Sequence, residues 1–188
     1  MTERAGPVVI LVTGAPATGK STLGAALAEE LGAALIDQDV ATAALTDVIA
    51  ALVGVDDLDD LQLATLTRTA RYETVIRLAE ANLEVGVAVV LVAPFSRERR
   101  DLPAWQHLER RLKEVGGLPT LVWLHLEPQQ IRHRMQARSA DRDAGKIRGE
   151  PDWLLTIDLG PPVGPHLALD ATAPLTDLVT TVLRHLRG

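Results

Sequence analysis

The segment GAPATGKST, residues 14–22, restricts the possible folds of this chain more than any other feature. It follows the branched apolar run 8–13, which predicts a buried strand, and it leads into residues 21–31, where leucines recur at helical spacing. A glycine-rich turn between a strand and a helix, with Lys20 and Ser21 at its end, matches the Walker A pattern. The chain is therefore predicted to contain a phosphate-binding loop.

Each residue type in this loop suits a phosphate site. Glycine lets the backbone curl so that successive N–H groups point at phosphate oxygens, and the following helix adds its dipole. We expect Lys20 to reach the β- and γ-phosphates, the Ser21 hydroxyl to bind Mg²⁺, and Thr22 to contact the α-phosphate. The expected nucleotide-binding residues are Gly14, Ala15, Pro16, Ala17, Thr18, Gly19, Lys20, Ser21 and Thr22.

The rest of the chain alternates between strand and helix patterns. Further strands are predicted at residues 33–36, 87–92, 120–126 and 166–169, and further helices at 40–53, 62–85, 103–115, 128–138 and 175–186. This alternation predicts an α/β fold in which a parallel five-stranded sheet is covered by helices on both faces. The 188 residues, 47% of them hydrophobic, are expected to form one domain, residues 1–188.

The amino-acid composition limits the classes of molecule that the chain is expected to bind. A net charge of −6 argues against general nucleic-acid binding, and no apolar stretch approaches the roughly 18 residues of a membrane span. The chain has no cysteine, which excludes disulfides and cysteine-bound metal. We expect a soluble, cytoplasmic protein that binds neither nucleic acid nor membrane, with its state as a monomer or a homodimer left open.

Two carboxylates, Asp37 and Asp39, directly follow the second predicted strand. Carboxyl ends of parallel strands meet at the ligand edge of the sheet, so these residues are expected across the cleft from the phosphate loop. One can help to hold hydrated Mg²⁺ while the other accepts a proton from an acceptor hydroxyl. A local turn or helix cap is the alternative role, and the two roles are compatible. The chain has no NKxD-type guanine motif, and its third strand carries no carboxylate.

Four segments together resemble one family. GAPATGKST, LIDQDV, RYETVIRLAEANLEVGVAVVLVAPFSRE and RMQARSADRDAGK, taken in this order, resemble the AAA_33-type P-loop kinases. That group includes zeta-toxin-like, chloramphenicol phosphotransferase-like and gluconate or shikimate kinase-like enzymes. The resemblance implies a nucleoside-kinase-like fold, ATP with Mg²⁺, and phosphorylation of a hydroxyl on a small molecule such as a sugar, a hydroxy acid or an antibiotic. It also implies that Asp39 is the base or acceptor-binding carboxylate, and that Asp37 lies on the metal side.

A run of basic residues is expected to form a helical lid at about residues 134–150. Arg134, Arg138 and Arg142 are spaced by four and would share one face of a continuing helix. In kinases of this build such arginines close over the phosphates, neutralise the transferring group and exclude water. We expect Arg138 or Arg142 to contact nucleotide phosphate, and Arg134 to lie near the ribose or base.

The acceptor is expected to lie beside the long helix predicted at residues 62–85 and the segment after the third strand. Tyr72 belongs to the apolar stripe of that helix, and Arg68 lies one turn earlier on the same stripe. Arg68 either faces an open cleft or lies at the edge of the core with its charge in solvent. Arg97 and Arg100 follow the third strand and would face the same cleft, where they could hold an anionic or polyhydroxylated acceptor.

One residue departs from the family pattern. Family members often have an acidic residue before Ala-Pro-Phe, where this chain has Val92, so Ser21 and Asp37 would carry more of the Mg²⁺ binding. Alternatives to a small-molecule kinase are a zeta-toxin-like kinase of a nucleotide sugar and a nucleotide-dependent switch with little turnover.

Overall fold

The computed structural model describes residues 6–55, 61–139 and 158–187. Within them the strands are β1 (Val8–Gly14), β2 (Ala34–Asp37), β3 (Val89–Val92), β4 (Leu118–His125) and β5 (Leu167–Asp170). The helices are α1 (Lys20–Leu31), α2 (Gln38–Val53), α3 (Leu61–Glu84), α4 (Ser96–Arg100), α5 (Leu102–Glu114), α6 (Pro128–Ser139) and α7 (Leu175–His185). No helix in these ranges has both the length and the apolar character needed to cross a membrane.

The five strands form one parallel sheet in the order β2-β3-β1-β4-β5. Strand β1 lies in the centre, between β3 and β4, and its residues Val9–Val12 are completely buried. Branched aliphatic side chains suit such a strand because it is covered on both faces. The expected α/β architecture is confirmed.

Side chains of β1 alternate between two cores, one on each face of the sheet. Ile10 and Val12 pack with α1 and α7 on one face, where the buried residues include Leu23, Leu27 and Val182. Val9 and Leu11 pack with α3 and α5 on the other face, where the buried residues include Val75, Ala79, Leu83, Leu108 and Leu112. The result is three layers, with the sheet between two layers of helices.

Most boundaries differ from the sequence prediction by one or two residues, and three differences have structural consequences or causes. Helix α2 begins at Gln38 rather than at residue 40, because the Asp37 carboxylate caps it by accepting the backbone N–H of Asp39 at 3.0 Å. The short helix α4 was not predicted; Phe95 precedes it in the left-handed region, with φ 45°. The last strand begins after His166 rather than at it.

An ion-pair network joins α3 to α5. The Arg111 guanidinium donates to the carboxylates of Glu73 and Glu80, at 2.9 Å and 2.8 Å for the shortest contacts. Hydrogen bonds from Arg111 and then Arg77 lower the pKa of Glu73 to about 2. The network helps to fix the long helix that carries Arg68 and Arg71 towards the ligand edge of the sheet.

Close packing between α1 and β3 makes Gly24 a test of the fold. A Cβ at Gly24 would lie 2.4 Å from Cγ2 of Val92. Alanine normally stabilises a helix by about 1 kcal/mol relative to glycine. Here Gly24→Ala is expected to lower the free energy of unfolding by about 1–3 kcal/mol because it overpacks the core.

Urea denaturation of four proteins measures this effect: the wild type, Gly24→Ala, Val92→Ala and the double variant. Removing the Val92 methyl groups should relieve the clash, so that Gly24→Ala becomes neutral or stabilising in the Val92→Ala background. Equal destabilisation in both backgrounds would show that the contact is not the cause.

Candidate active site

A cleft of about 1200 Å³ opens at the carboxyl edge of the sheet. Its wall is formed by the loop after β1, by the start of α2, by the segment after β3 and by α6. Parallel α/β sheets bind ligands at this edge. The residues that the cleft brings together include Lys20, Ser21, Asp37, Asp39, Arg68, Arg100 and Arg134.

The loop between β1 and α1 has a backbone that only particular residues tolerate. A Cβ at Gly14 would lie 2.4 Å from the carbonyl oxygen of Leu124, so the loop and β4 approach too closely for a side chain. Gly19 has φ 91° with open space around it, so there the backbone conformation is the reason for glycine. Ala17 is a non-glycine residue in the left-handed region, with φ 62°, and such strain concentrates at functional sites.

Helix α1 begins at Lys20, where the loop ends. Its N-cap residue, Gly19, provides no side-chain cap, and the first turn carries no acidic residue. The N–H groups of that turn and the positive end of the dipole therefore favour an anion. The Lys20 ammonium bends back and donates to the carbonyl oxygen of Ala15 at 2.9 Å, which places it over the same loop.

Ser21 and Asp37 meet across the cleft. The Ser21 hydroxyl donates to Oδ2 of Asp37 at 2.7 Å, while Oδ1 of Asp37 caps α2. Both side chains offer the hard oxygen donors that Mg²⁺ prefers, and Mg²⁺ on a nucleotide commonly takes only one or two carboxylates beside phosphate oxygens. The residues present therefore fit Mg²⁺ between the loop and β2.

Asp39 is held by an arginine that the sequence analysis missed. The Arg71 guanidinium donates to Oδ1 of Asp39 at 2.6 Å and to the Thr42 hydroxyl at 2.9 Å. The Asp39 side chain is 87% exposed, and its Oδ2 accepts no hydrogen bond from the described residues. The spacing of Arg68 and Arg71, three residues apart on one helix, was the available indication that both approach the same place.

Two predicted acceptor residues lie in a neighbouring cavity rather than in the cleft. This second cavity, of about 390 Å³, is lined by residues of α3, α4 and α5, and it shares Arg68 and Ser96 with the cleft. The Tyr72 hydroxyl accepts the Ser96 N–H there at 3.2 Å, and burial raises its pKa to about 12. Arg97 also lines this cavity, with 80% of its side chain exposed.

A buried arginine after β3 was not predicted as a site residue. Arg99 is 5% exposed, lines the cleft, and donates to the carbonyl oxygens of Asp158 and Gly160 at 3.2 Å and 2.6 Å. Its Nε has no hydrogen-bond partner among the described residues. Burial lowers the pKa of Arg99, and the Asp158 carboxylate partly opposes this effect.

Arg100 contributes to the same wall of the cleft. Its Nε donates to Oδ2 of Asp158 at 2.8 Å. Burial by itself would raise the pKa of Asp158, but the hydrogen bonds from Arg100 and the Gly160 N–H, with the Arg99 charge, outweigh it and lower the pKa. The cleft wall therefore combines two arginines with one ionised carboxylate.

The part of the predicted lid that the structure describes connects two loops. Arg134 on α6 donates to the carbonyl oxygen of Ala171 at 2.8 Å and to that of Ala17 at 3.4 Å. It thus bridges the phosphate loop and the turn after β5. Arg138 lies in α6, but its side chain is outside the described part of the chain, as are Arg142 and the remainder of the predicted lid to residue 150.

Val92 lies at the carboxyl end of β3, beside both Val12 and Asp37 in the sheet. Its side chain is 3% exposed and packs in the core under α1, against Gly24. An apolar side chain thus stands at the strand end, where the family resemblance implies a carboxylate. Among the described residues, the Ser21–Asp37 pair provides the oxygen donors at this point.

Comparisons with known proteins agree with this architecture. The AAA_33 family model, described as an AAA domain, matches residues 9–150. Shikimate kinase 2 of Sodalis glossinidius (strain morsitans) is 24% identical in an alignment 184 residues long that covers 94% of this chain and 94% of that protein.

Solved structures are similar in fold over nearly the whole chain. A protein from Chloroflexus aurantiacus j-10-fl, provisionally described as a kinase, aligns with a TM-score of 0.72 and 24% identity over 98% of both chains. A gluconokinase from Sinorhizobium meliloti 1021 aligns with a TM-score of 0.61 and 21% identity, over 98% of this chain and 94% of that one. The expected resemblance to the AAA_33 group is confirmed.

Loss of the loop lysine tests the phosphate site. Lys20→Ala is expected to weaken Mg-ATP binding by about 10- to 100-fold, because a hydrogen bond to a charged group contributes about 1.5–3 kcal/mol. Isothermal titration calorimetry measures the affinity. Lys113→Ala is the matched control, since Lys113 is exposed and contacts Glu109 on α5. Equal affinity of the Lys20 variant and the control would contradict the assignment.

Proposed function

Because the chain belongs to the AAA_33 family, we propose that it is an ATP-dependent phosphotransferase that phosphorylates a hydroxyl group of a small molecule. The observation that carries this proposal is the position of Asp39 in the same cleft as Lys20 and the Ser21–Asp37 pair. A phosphate site, a metal site and a free carboxylate oxygen are together what phosphoryl transfer to a hydroxyl requires.

The nucleotide end of the cleft is the loop between β1 and α1. Its N–H groups, the α1 dipole and the Lys20 ammonium would neutralise the triphosphate, and Arg134 would lie beside the ribose or base. Mg²⁺ held by Ser21 and Asp37 supplies electrostatic stabilisation of the phosphoryl oxygens when it is bound. Arg138 and Arg142 remain proposed lid residues that close over the phosphates and exclude water.

The acceptor end begins at Asp39. Arg71 occupies Oδ1 and orients the carboxylate, which leaves Oδ2 to accept the proton or the hydrogen bond of an acceptor hydroxyl. Loose phosphoryl transfer needs little proton abstraction before the transition state, so Asp39 acts mainly by positioning the hydroxyl.

The acceptor itself should be anionic or rich in hydroxyl groups. Four arginines, namely Arg68, Arg71, Arg99 and Arg100, lie around the acceptor end, and the Arg99 Nε lacks a partner among the described residues. The relatives named shikimate kinase and gluconokinase make a hydroxy acid the first class to test. The second cavity, reached past Arg68 and Ser96, offers room for a longer acceptor such as an antibiotic, with Tyr72 and Arg97 along its wall.

Val92 supports a second candidate function. The buried, apolar Val92 at the strand end provides no oxygen ligand for the Mg²⁺ water shell, where the family resemblance implies a carboxylate. A protein of this kind could bind nucleotide with Mg²⁺ and turn it over slowly, as a nucleotide-dependent switch does. Nucleotide binding without any acceptor-stimulated release of ADP would favour this function over the kinase.

Release of ADP in the presence of possible acceptors distinguishes the two functions. A panel of gluconate, shikimate, neutral sugars, nucleotide sugars and hydroxyl-bearing antibiotics should contain at least one acceptor that stimulates ADP release. Asp39→Asn is expected to lower kcat with that acceptor by about 10²-fold or more while ATP affinity stays nearly unchanged.

The matched control is Asp47→Asn, which removes an exposed carboxylate from the same helix outside the cleft. It should keep wild-type kcat. If Asp39→Asn weakens ATP binding as strongly as it lowers kcat, Asp39 belongs to the metal side of the site and its proposed role is wrong.

A further inference from the structure

Helix α2 has its polar and apolar faces in the reverse of the usual arrangement. The face packed against the protein presents Thr42, Thr46 and Ala50, which are buried. The two threonine hydroxyls donate to carbonyl oxygens of their own helix, at 2.7 Å and 2.8 Å, so their burial leaves no donor unpaired. The polar residues of α2 thus occupy the side that normally carries the apolar stripe.

One side of α2 carries a continuous apolar stripe, and the exposed Asp47 lies next to its edge. At 100° per residue, one arc of about 140° contains only apolar residues. We call this arc the α2 face; its residues are Val40, Ala41, Ala44, Leu45, Val48, Ala51 and Leu52. The four large side chains among them are 79%, 66%, 57% and 80% exposed, in chain order. The first turns of α3, which packs beside α2, expose Leu61 and Leu66 by 78% and 57%.

Neither described cavity uses the α2 face. Of the α2 residues, only Gln38 and Asp39 line the cleft, and none lines the second cavity. From Ser21 to Thr67 the sequence contains no lysine or arginine, so this region offers no attraction to an anionic membrane or to nucleic acid. The face is a convex helix surface without charge, which suits a protein partner with an apolar surface of its own.

The composition of the α2 face suits contact with a second copy of the same face. Small residues, Ala41, Ala44 and Ala51, lie between the large ones and let a second helix approach closely. Burying one leucine or valine side chain contributes about 1.5–3 kcal/mol, at about 25 cal/mol for each Å² of apolar surface. Dividing the first value by the second gives the apolar area of one such side chain. Together, the exposed large side chains of α2 and early α3 then offer on the order of 400 Å² of apolar surface per copy. With the roughly 65% apolar share of homodimer interfaces, the two copies together reach about 1200 Å², above the roughly 1000 Å² of a specific interface.

We propose that the α2 face is the interface of a homodimer, in which α2 of one copy packs antiparallel against α2 of the other about a twofold axis. Such a contact is isologous, and it closes with two copies. Because α2 begins with Asp37 as its cap and Asp39 in its first turn, the dimer also braces the helix that carries both carboxylates. The interface does not depend on whether the protein is a kinase.

Sedimentation equilibrium of the full chain tests the dimer. The wild type should sediment at twice the 20.2 kDa of one chain at micromolar concentration. Val48→Glu places two like charges at the centre of the contact and should raise the dimer dissociation constant by at least about 30-fold. Leu175→Glu is the matched control, because Leu175 is 39% exposed on α7, on the other side of the sheet.

A crosslinking experiment covers the case in which Val48→Glu fails to fold. The chain has no cysteine, so Val48→Cys introduces one thiol, which should form an intermolecular disulfide under mild oxidation, whereas Leu175→Cys should not. A wild type that remains monomeric at 100 micromolar or above, or equal crosslinking at both positions, would overturn the proposal.

Discussion

The parallel pairing of β1 with a strand on each side is the constraint on which the site depends. It aligns Val12 with Val92 and Gly14 with Leu124, so the loop after β1 emerges between the ends of β3 and β4. The pairing of β2 with β3 brings Asp37 level with Val92. Residues far apart in sequence therefore arrive at one edge, and the 2.7 Å contact between Ser21 and Asp37 follows from that alignment. The close approach to β4 in turn makes glycine necessary at position 14.

The sequence predicted the parts of the fold and site that depend on local pattern. The phosphate loop, the five strands and the carboxylates after β2 each have a motif or a hydrophobic period, and the structure places them at the expected edge. Helix boundaries were accurate to within two residues, and the shift at α2 has a definite cause. Asp37 both ends a strand and caps a helix, so no residues separate the two elements. The metal and acceptor roles of Asp37 and Asp39 stay predictions.

The residues that the sequence analysis missed depend on contacts between distant segments. Arg71 reaches Asp39 because α3 packs along α2, and hydrophobic periodicity does not say which polar residue of a helix points into a cleft. Arg99 is buried because the chain returns at residues 158–160, and a single arginine after a strand gives no sign of that return. Tyr72 and Arg97 line the second cavity, and part of its wall is α4, a helix that was not predicted. Phe95 allows that helix by adopting a left-handed backbone.

Val92 and helix α2 each affect both the active site and the packing around it. Val92 fills the space against Gly24 under the phosphate-loop helix, so an apolar side chain packs beneath the loop where the family resemblance implies a carboxylate. Helix α2 packs its threonines against the protein and exposes its apolar residues. The helix at the acceptor side of the cleft therefore has an uncovered apolar surface. Packing under α1 therefore stabilises the phosphate loop, whereas a different part of the structure supports α2.

A crystal structure with a non-hydrolysable ATP analogue and Mg²⁺ tests the central claim most directly. The account predicts β- and γ-phosphates on the N–H groups of residues 14–22, Lys20 within hydrogen-bond distance of them, and Mg²⁺ beside Ser21 and Asp37. It also predicts that Oδ2 of Asp39 faces the γ-phosphate across an open acceptor space. Phosphates bound elsewhere on the chain, or a metal ion that contacts neither Ser21 nor Asp37 directly or through water, would contradict the account.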